Sequence, residues 1–253
     1  MPSSSHRPRK RFGQHFLHDP GVMRKIVEAI APAAEDFIVE IGPGHGVLTF
    51  PLAERVRRLE VIEIDRDLAA ALPGDRIKVH VANALEFDFG AFPQGVRVVG
   101  NLPYNISTPL LFHLARYADR VRDMHFMLQL EVVERMVAKP STPEYGRLTV
   151  MLQTRFRMEK LFRVPPGAFR PPPKVDSAVV RMVPLGASLG CDERRFEQVV
   201  REAFSARRKT LRNALSLAAG DFAALGIDPG LRPENLSPQD YVRIARRTIG
   251  NPD

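Results

Sequence analysis

Asn101-Leu102-Pro103-Tyr104 follows the apolar run Val96 to Gly100, and its atoms suit chemistry on a planar exocyclic amine such as that of adenine. Such an amine is a poor nucleophile while its lone pair is delocalised into the ring. Acceptors aimed at its two N–H groups favour the pyramidal, reactive form, and an Asn side chain and a backbone carbonyl are acceptors of that kind. Leu102 precedes a proline, which biases it to an extended backbone, and Pro103 has no N–H to form competing turn bonds. The Leu102 carbonyl can therefore be presented to a ligand. Tyr104 offers an aromatic face on which a base can stack, worth roughly 1–3 kcal/mol per base. Taken alone, the tetrapeptide is equally a plain proline turn.

A second cluster points to the co-substrate. The apolar run Phe37 to Ile41 ends in Gly42-Pro43-Gly44-His45-Gly46, followed by Val47, Leu48, Leu52 and Val56 at helical spacing. This predicts strand, tight loop, helix, with the glycines allowing close ligand approach at the helix start. A dinucleotide site prefers its third glycine three places after the second, whereas here the spacing is every other residue. Glu63, 21 residues after Gly42, suits the two hydroxyls of a ribose in either case. Glu40, ahead of the first glycine, would attract an ammonium and repel a diphosphate. S-adenosylmethionine, a sulfonium without phosphate, fits these residues better than a nicotinamide cofactor.

The elements that must position these groups are legible as a series. Val61 to Asp65 reads as a second strand, Ile77 to Val81, followed by Asn83-Ala84-Leu85, as a third, and Val96 to Gly100 as a fourth. Strands separated by helical patterns predict an α/β, Rossmann-like fold, a parallel sheet with helices on both faces. Ligands of such sheets bind outside the carboxyl ends of the strands. Gly42, Glu63, Asn83 and Asn101 all fall at or just after those ends, so one crevice can hold them together. Further along, a helix is expected over Thr108 to Tyr117, a strand over Met124 to Leu130, a helix over Glu131 to Ala138, and strands over Leu148 to Phe156 and Ser177 to Val183. Pro165 to Pro173 is too proline-rich for either and reads as a stiff loop with Phe169 as a candidate exposed aromatic; the other reading tucks Phe169 into the core. Pro184 to Gly190 has the composition of a linker. Beyond it Phe196, Val199, Val200 and Phe204, then Leu211, Leu215 and Leu217, then Tyr241, Ile244, Ala245 and Ile249 carry helical periodicity. The expected organisation is a catalytic domain over 1–184 and a small all-helical domain over 191–253.

Composition narrows the class. The 253 residues with 44% hydrophobic content suffice for one α/β domain and a small appendage. One cysteine, Cys191, excludes a disulfide framework and a multi-cysteine zinc site, so no metal is expected. The absence of a long apolar run and of a secretory pattern predicts a soluble cytoplasmic protein with no membrane partner. The net charge of +8 suggests a polyanionic partner. Residues 1–25 hold Arg7, Arg9, Lys10, Arg11, Arg24 and Lys25 against Asp19 alone. Such an arm suits phosphate contacts that weaken with salt; a solvated tail or a short transit peptide are the alternatives. Arg207, Arg208, Lys209 and Arg212 cluster at a predicted helix start, and Arg243, Arg246 and Arg247 fall on one helical face. Each cluster reads as an RNA-binding surface or as a solvated face.

Five motifs in order resemble the ribosomal RNA adenine dimethyltransferase family, and within it most closely the bacterial small-subunit (16S) branch. They are Lys10 to Leu17, Glu40 to Gly46, Asn101 to Ser107, Phe169 to Ser177 and Ala203 to Leu211. The resemblance covers the chain from about Lys10 to Ile249. It implies a methyltransferase domain with a helical carboxyl-terminal domain, S-adenosylmethionine as cofactor, and 16S ribosomal RNA in the small subunit or its precursor as partner, met by a monomer. By resemblance the cofactor contacts fall on His15, Leu17, Gly42, Gly44, Glu63, Asn83, Ala84 and Asn101. Asn101 and the Leu102 carbonyl would hold the target amine with Pro103 shaping the turn, and Tyr104 and Phe169 would flank the base. The family more often has Asn at position 15 and Asp at position 83; the neutral Asn83 still offers its side-chain oxygen to the cofactor's adenine amine, through a weaker bond. Competing readings are a large-subunit rRNA adenine methylase of the antibiotic-resistance type, a non-catalytic RNA-binding assembly or transcription factor, and, more distantly, a NAD-dependent oxidoreductase.

Overall fold

A computed structural model describes residues 14–72, 76–186 and 189–247. The chain forms two compact units, residues 1–133 with 158–184, and residues 134–157 with 185–253. The first is built on a seven-stranded sheet. Its strands are β2 (Phe37–Ile41), β3 (Arg58–Glu63), β4 (Ile77–Val81), β5 (Val96–Asn101), β6 (Val121–Gln129), β7 (Phe156–Val164) and β9 (Ser177–Pro184), in the order β4-β3-β2-β5-β6-β9-β7. The run β4-β3-β2-β5-β6 is parallel, and β9 lies antiparallel to β6. Ile38 to Ile41 of β2 and Val96 to Gly100 of β5 are wholly buried, the near-continuous apolar pattern of strands covered on both faces.

A separate two-stranded ribbon joins β1 (Phe16–Leu17) to β8 (Phe169–Arg170), with Leu17 opposite Phe169. Helix α1 (Pro20–Ile30) follows β1 directly. Asp19 caps it by accepting from the N–H groups of Gly21 and Val22 at 2.7 and 2.9 Å, and Pro20 sits where its missing N–H costs nothing. Its buried face, Ile26, Val27 and Ile30, joins Leu17, Ile38, Leu59, Val99 and Phe169 in one apolar core. Short helices α2 (Thr49–Ala53) and α3 (Arg66–Ala71) and the longer α4 (Ser107–Ala115) follow β2, β3 and β5.

The second unit is helical. It takes in the second half of α5 (Leu130–Val137), then α6 (Arg147–Gln153), α7 (Glu193–Ser205), α8 (Leu211–Ala214), α9 (Ala219–Leu225) and α10 (Pro238–Arg247). One expectation changes here. Leu148 to Phe156 is no strand: Leu148 to Leu152 form α6, started by the Gly146 N–H donating to Thr149 Oγ1 at 3.0 Å, and β7 begins only at Phe156. All five residues are buried, and a helix buried all round shows no periodicity to tell it from a core strand. Because α6 packs on α7 and α10, residues 134–157 fall in the same compact unit as residues 185–253, and Pro184 is the last residue of the other unit. Leu215 and Leu217 lie outside α8, and Ile249 lies outside the described residues. Among the described residues no helix is long and apolar enough to cross a membrane.

Candidate functional site

At the carboxyl ends of β2 to β5 lies a cavity of about 300 Å³. All eight residues expected to touch a cofactor line it: His15, Leu17, Gly42, Gly44, Glu63, Asn83, Ala84 and Asn101. So do Glu40, Leu102, Pro103 and Tyr104. Parallel pairing brings them together, since Glu40 stands beside Val61 and Val99 in the register of β2, β3 and β5.

The glycine loop is wound tightly. Gly42, Gly44 and Gly46 have φ of 68°, 57° and 80°, the left-handed region that explains their alternate spacing. The Gly42 N–H continues the ladder to the Ile62 carbonyl at 2.9 Å. The Gly44 N–H donates inward to Glu63 Oε2 at 3.3 Å, while Glu63 Oε1 accepts from the Asp65 N–H at 2.9 Å. Each carboxylate oxygen of Glu63 thus keeps a lone pair for a ligand hydroxyl. Burial raises the Glu63 pKa, against the backbone donors of Asp65 and Gly44. Glu40 is 1% exposed and accepts from Thr49 Oγ1 at 2.6 Å. Burial pushes its pKa up to about 7; the Thr49 hydroxyl opposes the shift and the charge of Glu63 adds to it.

This donor set chooses its ligand. Two carboxyl groups face the cavity and, among the described residues, no Lys or Arg lines it, so a diphosphate is disfavoured and a cation with vicinal hydroxyls is favoured. Among the described residues no group of three or more His, Cys, Asp or Glu side chains could hold a metal ion.

Asn101 Nδ2 donates to the His15 carbonyl at 3.0 Å, which fixes the amide and leaves Oδ1 as the end able to accept. The Leu102 N–H is held by the Met127 carbonyl at 3.1 Å, and among the described residues no N–H is donated to the Leu102 carbonyl. Two acceptors are therefore supplied by adjacent residues. Gly100 makes the packing behind them possible: a Cβ there would come within 2.5 Å of the Ile41 carbonyl oxygen.

Two expected roles are altered by the geometry. Phe169 is buried at 1% exposure in the core cluster and does not line the cavity; pairing of β8 with β1 draws it inward against Leu17. It backs the segment that carries His15 and is not an exposed aromatic. Asn83 Oδ1 already accepts from the Leu85 N–H at 3.1 Å, and its Nδ2 donates to Glu86 at 2.9 Å. An adenine amine would share that oxygen. The neutral residue has a local reason, since an aspartate at 83 would meet the Glu86 carboxylate.

The sequence reading missed His45, whose ring lies 4.3 Å from that of Phe16 beside the loop, and Ile64, a 46% exposed apolar residue on the cavity rim. An isoleucine directly after the ribose-binding acid was the available signal for the second. The basic residues of the tail divide. Arg207 pairs with Glu234 at 2.6 Å, Arg247 with Asp221 at 3.1 Å, and Arg243 with Asp240, while Arg246 donates to the Leu189 carbonyl at 2.5 Å. Arg208, Lys209 and Arg212 are exposed. Arg9, Lys10 and Arg11 lie outside the described residues.

The sequence profile of the ribosomal RNA adenine dimethylase family matches residues 5–249. The chain belongs to this family. Among curated members, it is 59% identical over 251 residues, covering 96% of both chains, to the ribosomal RNA small subunit methyltransferase A of Chromobacterium violaceum. It is 61% identical over 249 residues to that of Aromatoleum aromaticum, covering 95% of this chain and 94% of the relative. Among solved structures, a dimethyladenosine transferase from Plasmodium falciparum superposes with a TM-score of 0.81 at 25% identity, over 91% of this chain and 96% of that one. The 23S rRNA methyltransferase ErmE gives 0.70 at 27% identity, over 92% and 98%. This member of the dimethylase family is an rRNA adenine methyltransferase, and its seven-stranded, mostly parallel sheet matches the solved structures of its relatives.

Proposed function

We propose that the protein transfers methyl groups from S-adenosylmethionine to the N6 amines of two adjacent adenosines near the 3' end of small-subunit (16S) ribosomal RNA, giving N6,N6-dimethyladenosine during subunit biogenesis. The observation that carries this reading is the placement of Asn101 and Leu102 beside a cavity lined by two carboxyl groups and, among the described residues, by no Lys or Arg. The gap between 59–61% identity to small-subunit enzymes and 27% to a large-subunit one supports the choice of subunit. Work on nascent ribosomes implies the cytoplasm, and we take the enzyme to act there as a monomer.

Bound S-adenosylmethionine supplies an electrophilic methyl group. The chain's residues do the rest by positioning and preorganised polarity. Glu63 accepts from the ribose hydroxyls, ionised Glu40 faces the ammonium, and the glycine loop lets the backbone approach. Asn101 Oδ1 and the Leu102 carbonyl accept the two N–H groups of the target amine, turning its lone pair toward the methyl. With the donor bound, the amine nitrogen would take the methyl as its S–C bond breaks, adenosylhomocysteine would leave, and the proton of the methylated amine would pass to water. The base must leave its stack, which costs a few kcal/mol and is cheapest in loops. Tyr104 receives it on its ring. Arg208, Lys209 and Arg212 supply phosphate contacts from the tail.

The buried acid predicts a pH dependence. Because the pKa of Glu40 in the folded chain, about 7, lies above its ordinary value of 4.5, ionising it costs stability, and the free protein loses stability as pH rises from about 4.5 to 7. A bound ammonium favours the ionised form. Calorimetric titration should therefore show S-adenosylmethionine affinity rising between about pH 5.5 and 7, by at most about tenfold per unit. Glu40→Gln should flatten that slope, and an unchanged slope would remove Glu40 from the ammonium site. The substrate assignment is tested with labelled S-adenosylmethionine and unmethylated small or large ribosomal particles: label confined to small-subunit RNA is expected, and label in large-subunit RNA alone would overturn it.

A further inference from the structure

Tyr104 is fastened at three points. Ser107 Oγ donates to its carbonyl at 3.0 Å, its ring stacks on that of His15 with centroids 5.3 Å apart and planes at 28°, and its hydroxyl lies 2.6 Å from Ser177 Oγ. The last contact joins elements far apart in the chain. Ser177 opens β9 opposite Gln129 of β6, and β6 separates β9 from β5, the strand that leads into Tyr104. The ring therefore spans the end of one strand to bond with the next. Ser177 is fully buried, so its hydroxyl has a strong reason to keep a partner. Burial also raises the Tyr104 pKa, which keeps the phenol neutral. The phenolic oxygen lies on the axis about which the ring turns, so the Ser177 contact anchors the far end of that axis while the stacked His15 ring sets the plane about it.

We propose that Ser177 is a positioning residue for base recognition, holding the Tyr104 hydroxyl so that the ring, stacked on His15, is kept in one place for the target adenine. The inference rests on the reading of Tyr104 as the stacking platform. It predicts an effect on how well RNA is captured, without an effect on the methyl donor. The test compares wild type, Ser177→Ala, Tyr104→Phe and the double variant in steady-state methylation of unmethylated small-subunit particles. Ser177→Ala should raise KM for the particle about three- to tenfold, the size set by one neutral hydrogen bond, with kcat and S-adenosylmethionine affinity unchanged. Tyr104→Phe, which keeps the ring and drops the hydroxyl, should give the same rise, and the double variant no more than either. An unchanged KM in Ser177→Ala, or single effects that multiply in the double variant, would overturn the proposal. If Ser177→Ala melts near the assay temperature, Tyr104→Phe alone carries the test from the other end of the bond, and an unchanged KM there overturns it as well. Tyr104→Ala separates the two levels: normal KM in that variant removes the stacking platform itself, whereas a raised KM beside a normal Ser177→Ala removes only Ser177.

Discussion

Replacing Asn101 by alanine should lower kcat by about two orders of magnitude or more, the usual cost of deleting one preorganised polar contact to a transition state. In the proposed reaction the amine is held by two acceptors, one of them the Oδ1 that the bond from Nδ2 to the His15 carbonyl orients. Alanine removes the acceptor and also frees the His15 carbonyl. The fold should survive, because Asn101 is half-buried at the end of β5 and the Leu102 N–H remains tied to Met127. Thermal unfolding of the variant should therefore stay close to wild type while single-turnover methylation slows. Asn101→Asp keeps oxygen acceptors but loses the donor to His15, and its rate should fall between the two. A folded Asn101→Ala enzyme that methylates at the normal rate would show that the amine is activated elsewhere.

Arg97→Ala should cost about 3–5 kcal/mol of stability, the range for breaking a buried ion pair from one side, out of a typical total of about 5–15 kcal/mol. Arg97 is 4% exposed within β5. Its guanidinium binds Asp123 at 2.8 and 2.9 Å, Asp36 at 2.7 Å, and the Ile30 carbonyl at the end of α1 at 2.6 Å. Alanine would leave Asp123 buried with only the more distant Arg181, at 3.8 Å, for charge. Burial would push the Asp36 carboxyl up, but the Ala33 N–H and the Arg97 guanidinium together hold it below its usual range. With the folded pKa below the unfolded one, this stabilisation is present above about pH 4 and is lost as pH falls through the folded value. The melting-temperature gap between wild type and Arg97→Ala should therefore hold down to about pH 4 and narrow on acidification below it. A gap independent of pH would mean the network contributes packing alone. Activity should fall too, since α1 is joined through Asp19 to the segment carrying His15 and Leu17.

The site was legible wherever its chemistry sits at the end of a strand. Gly42, Glu63, Asn83 and Asn101 each follow an apolar run, and parallel strands with alternating crossovers leave those ends on one edge, so local pattern sufficed. What escaped was set by partners distant in the chain. Phe169 is pulled inward by pairing with Leu17, 152 residues earlier, and nothing in a proline-rich loop announces that. The arginines of the tail read as one basic surface, but Glu234 and Asp221 engage Arg207 and Arg247 across gaps of 27 and 26 residues. Leu148 to Leu152 misled for the opposite reason: burial on every side erased the period that marks a helix.

In the proposed reaction, two acceptors at the end of β5 prepare an adenine amine for methylation from the acidic cavity. Digestion of small-subunit RNA to nucleosides, after incubation of unmethylated particles with isotopically labelled S-adenosylmethionine, tests it most directly. Mass spectrometry should find both labelled methyl groups on one nitrogen, as N6,N6-dimethyladenosine, and the signal should collapse with Asn101→Ala. Label on another base, on ribose, or at an adenine ring carbon would contradict the account.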